Sequence, residues 1–138
     1  MTQLLESPKT SYLLEGSLEV LHQQTREWLS EMDLWKDEIR FFKNLINKQL
    51  LKVKTEDDKE ELRDYEKILS KMHNDWLEHL FMQTQAHEMY LAGIMQNRPK
   101  DYDEVYRERH RDLTEKVDGF HKEMKSIKGE LFEFIEKL

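Results

Sequence analysis

The chain has 138 residues, 38% hydrophobic and 37% charged, with a formal net charge of −7, four glycines, two prolines and no cysteine. Without cysteine there is neither a disulfide framework nor a thiolate zinc site, and the acidic balance argues against general nucleic-acid binding, which needs Lys and Arg to neutralise phosphates. Scarce turn residues, abundant charge and three Trp, six Phe and five Tyr describe one domain of long amphipathic helices, not a disordered chain.

Residues 1–16, with Pro8 and Gly16 and only patchy apolar content, read as a flexible leader. The leader has no basic stretch followed by an apolar core, and nowhere do ~18 apolar residues run together. The expectation is a soluble, cytoplasmic protein with no membrane insertion. Residues 17–138 form the single helical domain.

The first helix is expected over about 17–54, with Ser17 as its N-cap. Leu18, Leu21, Thr25, Trp28, Met32, Trp35, Ile39, Phe42, Ile46, Gln49 and Val53 follow at alternating spacings of four and three. Such a repeat, averaging about 3.5, keeps one helix face turned towards a partner along its whole length. Lys52 and Lys54 suit the negative end of a helix, while Thr55 with Asp58 resembles a capping box opening the next one.

The second helix is expected over about 55–97. Its best seven-residue register is Leu62, Tyr65, Leu69, Met72, Trp76, His79, Gln83, Ala86, Tyr90 and Gly93, widened by Ile68, Leu80, Met82, Met89 and Ile94. A stripe that wide suits contact with two neighbours. Pro99 stops the element, because proline disfavours helical geometry in the residue before it. The third helix, about 100–138, carries Tyr106, His110, Leu113, Val117, Phe120, Met124, Ile127, Leu131, Phe134 and Leu138 in register. Its basic cluster, Arg107, Arg109 and Arg111, is interleaved with Glu108 and Asp112 and reads as a mixed solvated face.

Three helices of similar length, roughly 55–65 Å each, joined by short turns fold most simply as an all-α, up-down-up antiparallel three-helix bundle with coiled-coil-like heptad packing. A four-helix bundle is the alternative, if a long helix breaks near Asn44 and Asn47 or at Asn74. Folding the hairpins back sets Trp76 near Met32, Trp35 and Met124 in an aromatic and methionine core. It also puts Thr25 and Gln83 at one level, as a buried polar layer that fixes register.

No phosphate-binding glycine loop, nucleophile elbow or His-Glu-x-x-His motif occurs, so no catalytic residue is assigned. The same hairpin geometry brings His22 beside His87 and His110 near residue 89, with Glu19 and Glu88 close by. Imidazoles and carboxylates converging between helices are the ligand types of a transition-metal site such as zinc. The competing reading is half-buried rings with solvated nitrogens. A carboxylate-bridged two-metal centre is excluded by spacing, since Glu19-x-x-His22 and Asp118-x-x-His121 lie roughly 10 Å apart along the bundle.

Leu21-His22, Trp28-Leu29, Glu31, Trp35-Lys36-Asp37-Glu38-Ile39 and Phe42, with His87-Glu88, His110, Phe120, Lys122-Glu123, Phe132 and Phe134, resemble the pattern of a family of short, uncharacterised bacterial helical proteins. That resemblance implies a helical bundle and no particular activity. The outline is also similar to spectrin-type repeats in architecture. The functional expectation is a non-enzymatic interaction or scaffolding module that binds a protein partner or itself, because Leu80, Phe81, Met82 and Met89 offer more apolar surface than two neighbours cover.

Overall fold

The computed structural model describes residues 18–97 and 104–138; the leader, Ser17 and Pro99 lie outside them. Helix α1 spans Leu18–Leu50. Helix α2 (Glu56–Lys71) runs through a π-helical turn, Met72–Leu77, into α3 (Glu78–Asn97). Helix α4 spans Val105–Lys137. Lys71, Met72 and Glu78 all have right-handed helical dihedrals, so α2, the π turn and α3 form one continuous rod. The described residues therefore make three helical rods and no strand. Nothing interrupts α1 at Asn44 or Asn47, and at Asn74 the helix widens without breaking, which removes the fourth helix.

Residues that repeat at spacings of three and four are the ones that leave water. In α1 the buried set is Leu18, Leu21, Thr25, Trp28, Met32, Trp35, Ile39, Phe42 and Ile46. In α4 it is Tyr106, His110, Leu113, Val117, Phe120, Met124, Ile127 and Leu131. One core cluster runs from Trp28 and Leu80 to Ile46, Leu62 and Leu131. A smaller one joins Leu18, Leu21, Leu91 and Tyr106. Helix α1 ends at Leu50, four residues before the expected boundary. The chain then turns tightly through bonds from Lys52 and Val53 back to the Gln49 carbonyl, and Val53 packs on the core from this turn. The Thr55 hydroxyl accepts from the Asp58 amide at 3.2 Å, and Glu56, Asp57 and Asp58 occupy the positive first turn of α2.

The π turn corrects the register expected for the second rod. Up to Met72 the expected positions face inward, but beyond it the buried residues are Leu77, Leu80, Thr84, His87 and Leu91. Each lies one residue later than expected, because a π turn absorbs one extra residue. A regular α-helix would have turned Trp76, His79, Gln83, Ala86 and Tyr90 inward instead. Burying three leucines contributes roughly 2 kcal/mol apiece, whereas one distorted turn forfeits about one backbone hydrogen bond, worth ~1 kcal/mol. Burial wins. Trp76 is accordingly 37% exposed, meeting Phe120 edge to face with ring centres 5.0 Å apart, while Trp28 and Trp35 are core residues. The polar layer changes with it: Thr84, not Gln83, is buried with Thr25. Each hydroxyl donates to the carbonyl one turn back within its own helix, Thr25 to Leu21 at 2.8 Å and Thr84 to Leu80 at 2.7 Å.

Candidate functional site

The same one-residue shift carries His87 into the interior. It occupies a core position of α3 opposite His110 of α4, and the two rings are 6% and 1% exposed. His87 Nε2 lies 3.1 Å from His110 Nδ1, and His110 Nε2 lies 2.6 Å from Gln24 Oε1 on α1. An amide oxygen only accepts, so His110 carries its proton on Nε2 and presents Nδ1 as an acceptor. His87 must then donate from its own Nε2. A directional relay results, His87 to His110 to Gln24, linking all three rods.

Trp28 stacks on His110 with ring centres 4.8 Å apart and planes 22° from parallel, closing the relay from the core side. Burial holds both imidazoles well below their ordinary 6.5, at about 4; the Arg109 guanidinium adds to this at His87, and His87 itself adds to it at His110. Both rings are therefore neutral at pH 7.

Sequence reasoning grouped His22, His87, His110, Glu19 and Glu88. The structure joins His87 to His110 directly but turns His22 towards the other flank of α3, where its Nε2 sits 3.6 Å from Glu88 Oε2. That His22 nitrogen is buried and makes no hydrogen bond. Glu19 is exposed at the start of α1. Among the described residues no group of three or more His, Asp or Glu side chains is arranged to hold a metal ion. Gln24 was missed because it flanks the apolar stripe, although a polar side chain one turn from Trp28 is the type that can end such a relay.

Beside the relay, a groove of about 320 Å³ opens between α3 and α4, lined by Gln83, Ala86, His87, Tyr90, Arg109, Asp112, Leu113 and Lys116. The Arg109 guanidinium lies over the Tyr90 ring, 4.5 Å from its centre, and both residues line the groove. Among the described residues no helix is long and apolar enough to cross a membrane. Comparison of the chain with models of protein families, with curated proteins and with solved structures gives no match.

Proposed function

We propose that the protein is a non-enzymatic interaction module, an up-down-up bundle with coiled-coil-like packing that self-associates through the outer face of α3. The antiparallel run of the first two rods is supported by Lys43 with Glu66 at 3.7 Å and His22 with Glu88, pairs whose residue numbers total about 109 as a tight hairpin requires. Gln24 with His110 and Glu38 with Lys128, pairs separated by 86 and 90 residues, support α1 and α4 running the same way.

One observation carries the functional reading: Met82 and Met89, two helical turns apart on α3, are 65% and 72% exposed. Between and beyond them lie Ala86 and Gly93, and a Cβ built on Gly93 would meet nothing within 4 Å. In a chain 37% charged, α3 carries only Glu78 and Glu88, and Glu88 faces His22. A helix apolar on both faces is normally covered on both.

A second copy fits this face well. Two α3 helices crossing antiparallel set each methionine over a small residue, Met82 against Gly93 and Met89 against Ala86, and bring no like charges into the seam. The face measures roughly 30 Å by 10 Å, short of the ~800 Å² per partner of a standard interface, so the proposed association is a weak one. Light scattering across a concentration series tests it. The mass should rise from the 16.9 kDa of one chain towards twice that value, and Met82→Glu with Met89→Glu should hold it at one chain. A wild-type mass fixed at one chain throughout overturns the proposal.

A further inference from the structure

His87 stands out among the buried polar groups because it is only half used. Its Nε2 is committed to His110, but among the described residues its Nδ1 has no hydrogen-bond partner. Unlike His22 Nε2, that nitrogen is not sealed away from solvent. Of the three relay residues only His87 lines the α3–α4 groove, so the groove is where the free nitrogen is reached. The rim carries Arg109 and Lys116 against a single acid, Asp112, a balance that matches one negative charge. Tyr90, Ala86 and Leu113 supply apolar wall, and about 320 Å³ accommodates a ring-sized body.

The relay also fixes which ring can accept a proton. His110 has both nitrogens engaged, one donating to Gln24 and one accepting from His87, so protonating it breaks a bond. His87 can be protonated at Nδ1 with its Nε2 bond to His110 unchanged. Without a ligand the groove does not compensate the charge, because its one acid, Asp112, is outweighed by Arg109 and Lys116. Arg109 repels it, and Glu88, the acid next in sequence, faces His22 on the α1 flank. From α1 the relay is met by uncharged Gln24 and Trp28. An anion among Arg109, Lys116 and His87 reverses that balance and accepts a hydrogen bond from the new N–H.

We propose that this groove binds a small organic monocarboxylate, held by Arg109 and Lys116 at the rim and by His87 at the floor, with His87 taking a proton from water at Nδ1 as the carboxylate enters. A phosphate dianion is disfavoured by Asp112. The groove shares only Ala86 with the proposed self-association face, since Met82, Met89 and Gly93 do not line it.

Benzoate is the probe, because it stays ionised across the working pH range. Titration calorimetry in two buffers of different ionisation enthalpy should register proton uptake that grows as the pH falls, averaging about 0.3 proton per benzoate between pH 7.5 and pH 5.5, with binding roughly fourfold tighter near pH 5.5 than near pH 7.5. Arg109→Gln and Lys116→Gln, both on exposed positions, should each weaken benzoate about fivefold while leaving the melting temperature alone. His87→Gln should abolish the proton uptake; the rim variants keep the proposal testable if that protein is poorly folded. No benzoate binding at millimolar concentration, binding without proton uptake, or inorganic phosphate binding as tightly as benzoate would each overturn it.

Discussion

The histidine pair sets how stability depends on acidity. Both rings have folded-state values near 4, below the ordinary 6.5 of the unfolded chain. Between those limits the unfolded state binds more protons, so acid favours unfolding. The contribution is complete above about pH 6.5, falls as the pH drops through the window, and is gone near pH 4. At pH 5, where the unfolded imidazoles are protonated and the buried ones are still neutral, the loss for the pair is on the order of 3 kcal/mol. Urea unfolding at pH 7 and pH 5 should show this loss, and the double variant His87→Gln, His110→Gln should show a visibly flatter profile. An unchanged profile would mean the two rings are not held neutral. Neither the pairing nor Gln24 follows from spacing alone. His110 sits in the regular stripe of α4 and is legible as an interior residue, whereas the expected register of the second rod runs through Ala86 and leaves His87 one residue off it.

That single-residue error belongs to the scale of the helix. The buried faces of α1 and α4 were legible residue by residue because the buried side chains from Leu18 to Ile46 and from Leu113 to Leu131 all lie on one unbroken repeat, with Leu34 and Phe41 off it and exposed. The second rod has two competing repeats, one through Trp76, Gln83 and Tyr90 and one through Leu77, Thr84 and Leu91. Spacing cannot show that the chain changes from the first to the second at a π turn. Low helix preference at His73, Asn74 and Asp75, and the His73 Nδ1 to Asn74 Oδ1 bond at 2.9 Å, mark where it does so. Deleting Asn74 should consequently be tolerated. The π turn becomes an ordinary α turn, both flanking registers stay intact, and stability changes by no more than about 1 kcal/mol. Deleting Gln85 instead rotates the rest of α3 by about 100°, exposes Leu91 and should cost more than ~3 kcal/mol. Equal losses in the two deletions, measured by thermal unfolding, would remove the π turn as the source of the shift.

For the whole molecule, the π turn decides which side of α3 is left over. By turning the leucines inward it leaves Met82, Ala86, Met89 and Gly93 on the outer side, so core packing and the exposed face share one cause. Gly93 separates the two demands. Its missing Cβ has open space within one chain, so Gly93→Ala should raise monomer stability by about 0.5–1 kcal/mol through helix preference alone. In the self-associated state the same methyl meets Met82 of the second copy, and affinity should fall severalfold even though each chain is more stable. Net charge provides an independent lever. Two copies at −7 repel while the seam between them is uncharged, so added salt should strengthen association by screening. A complex held by surface ion pairs would weaken instead. Analytical ultracentrifugation of wild type and Gly93→Ala at low and high ionic strength reads both effects. Opposite movements of melting temperature and affinity, with salt favouring the dimer, are what an apolar helix seam requires; association that weakens with salt or survives Gly93→Ala unchanged would move the contact off this face.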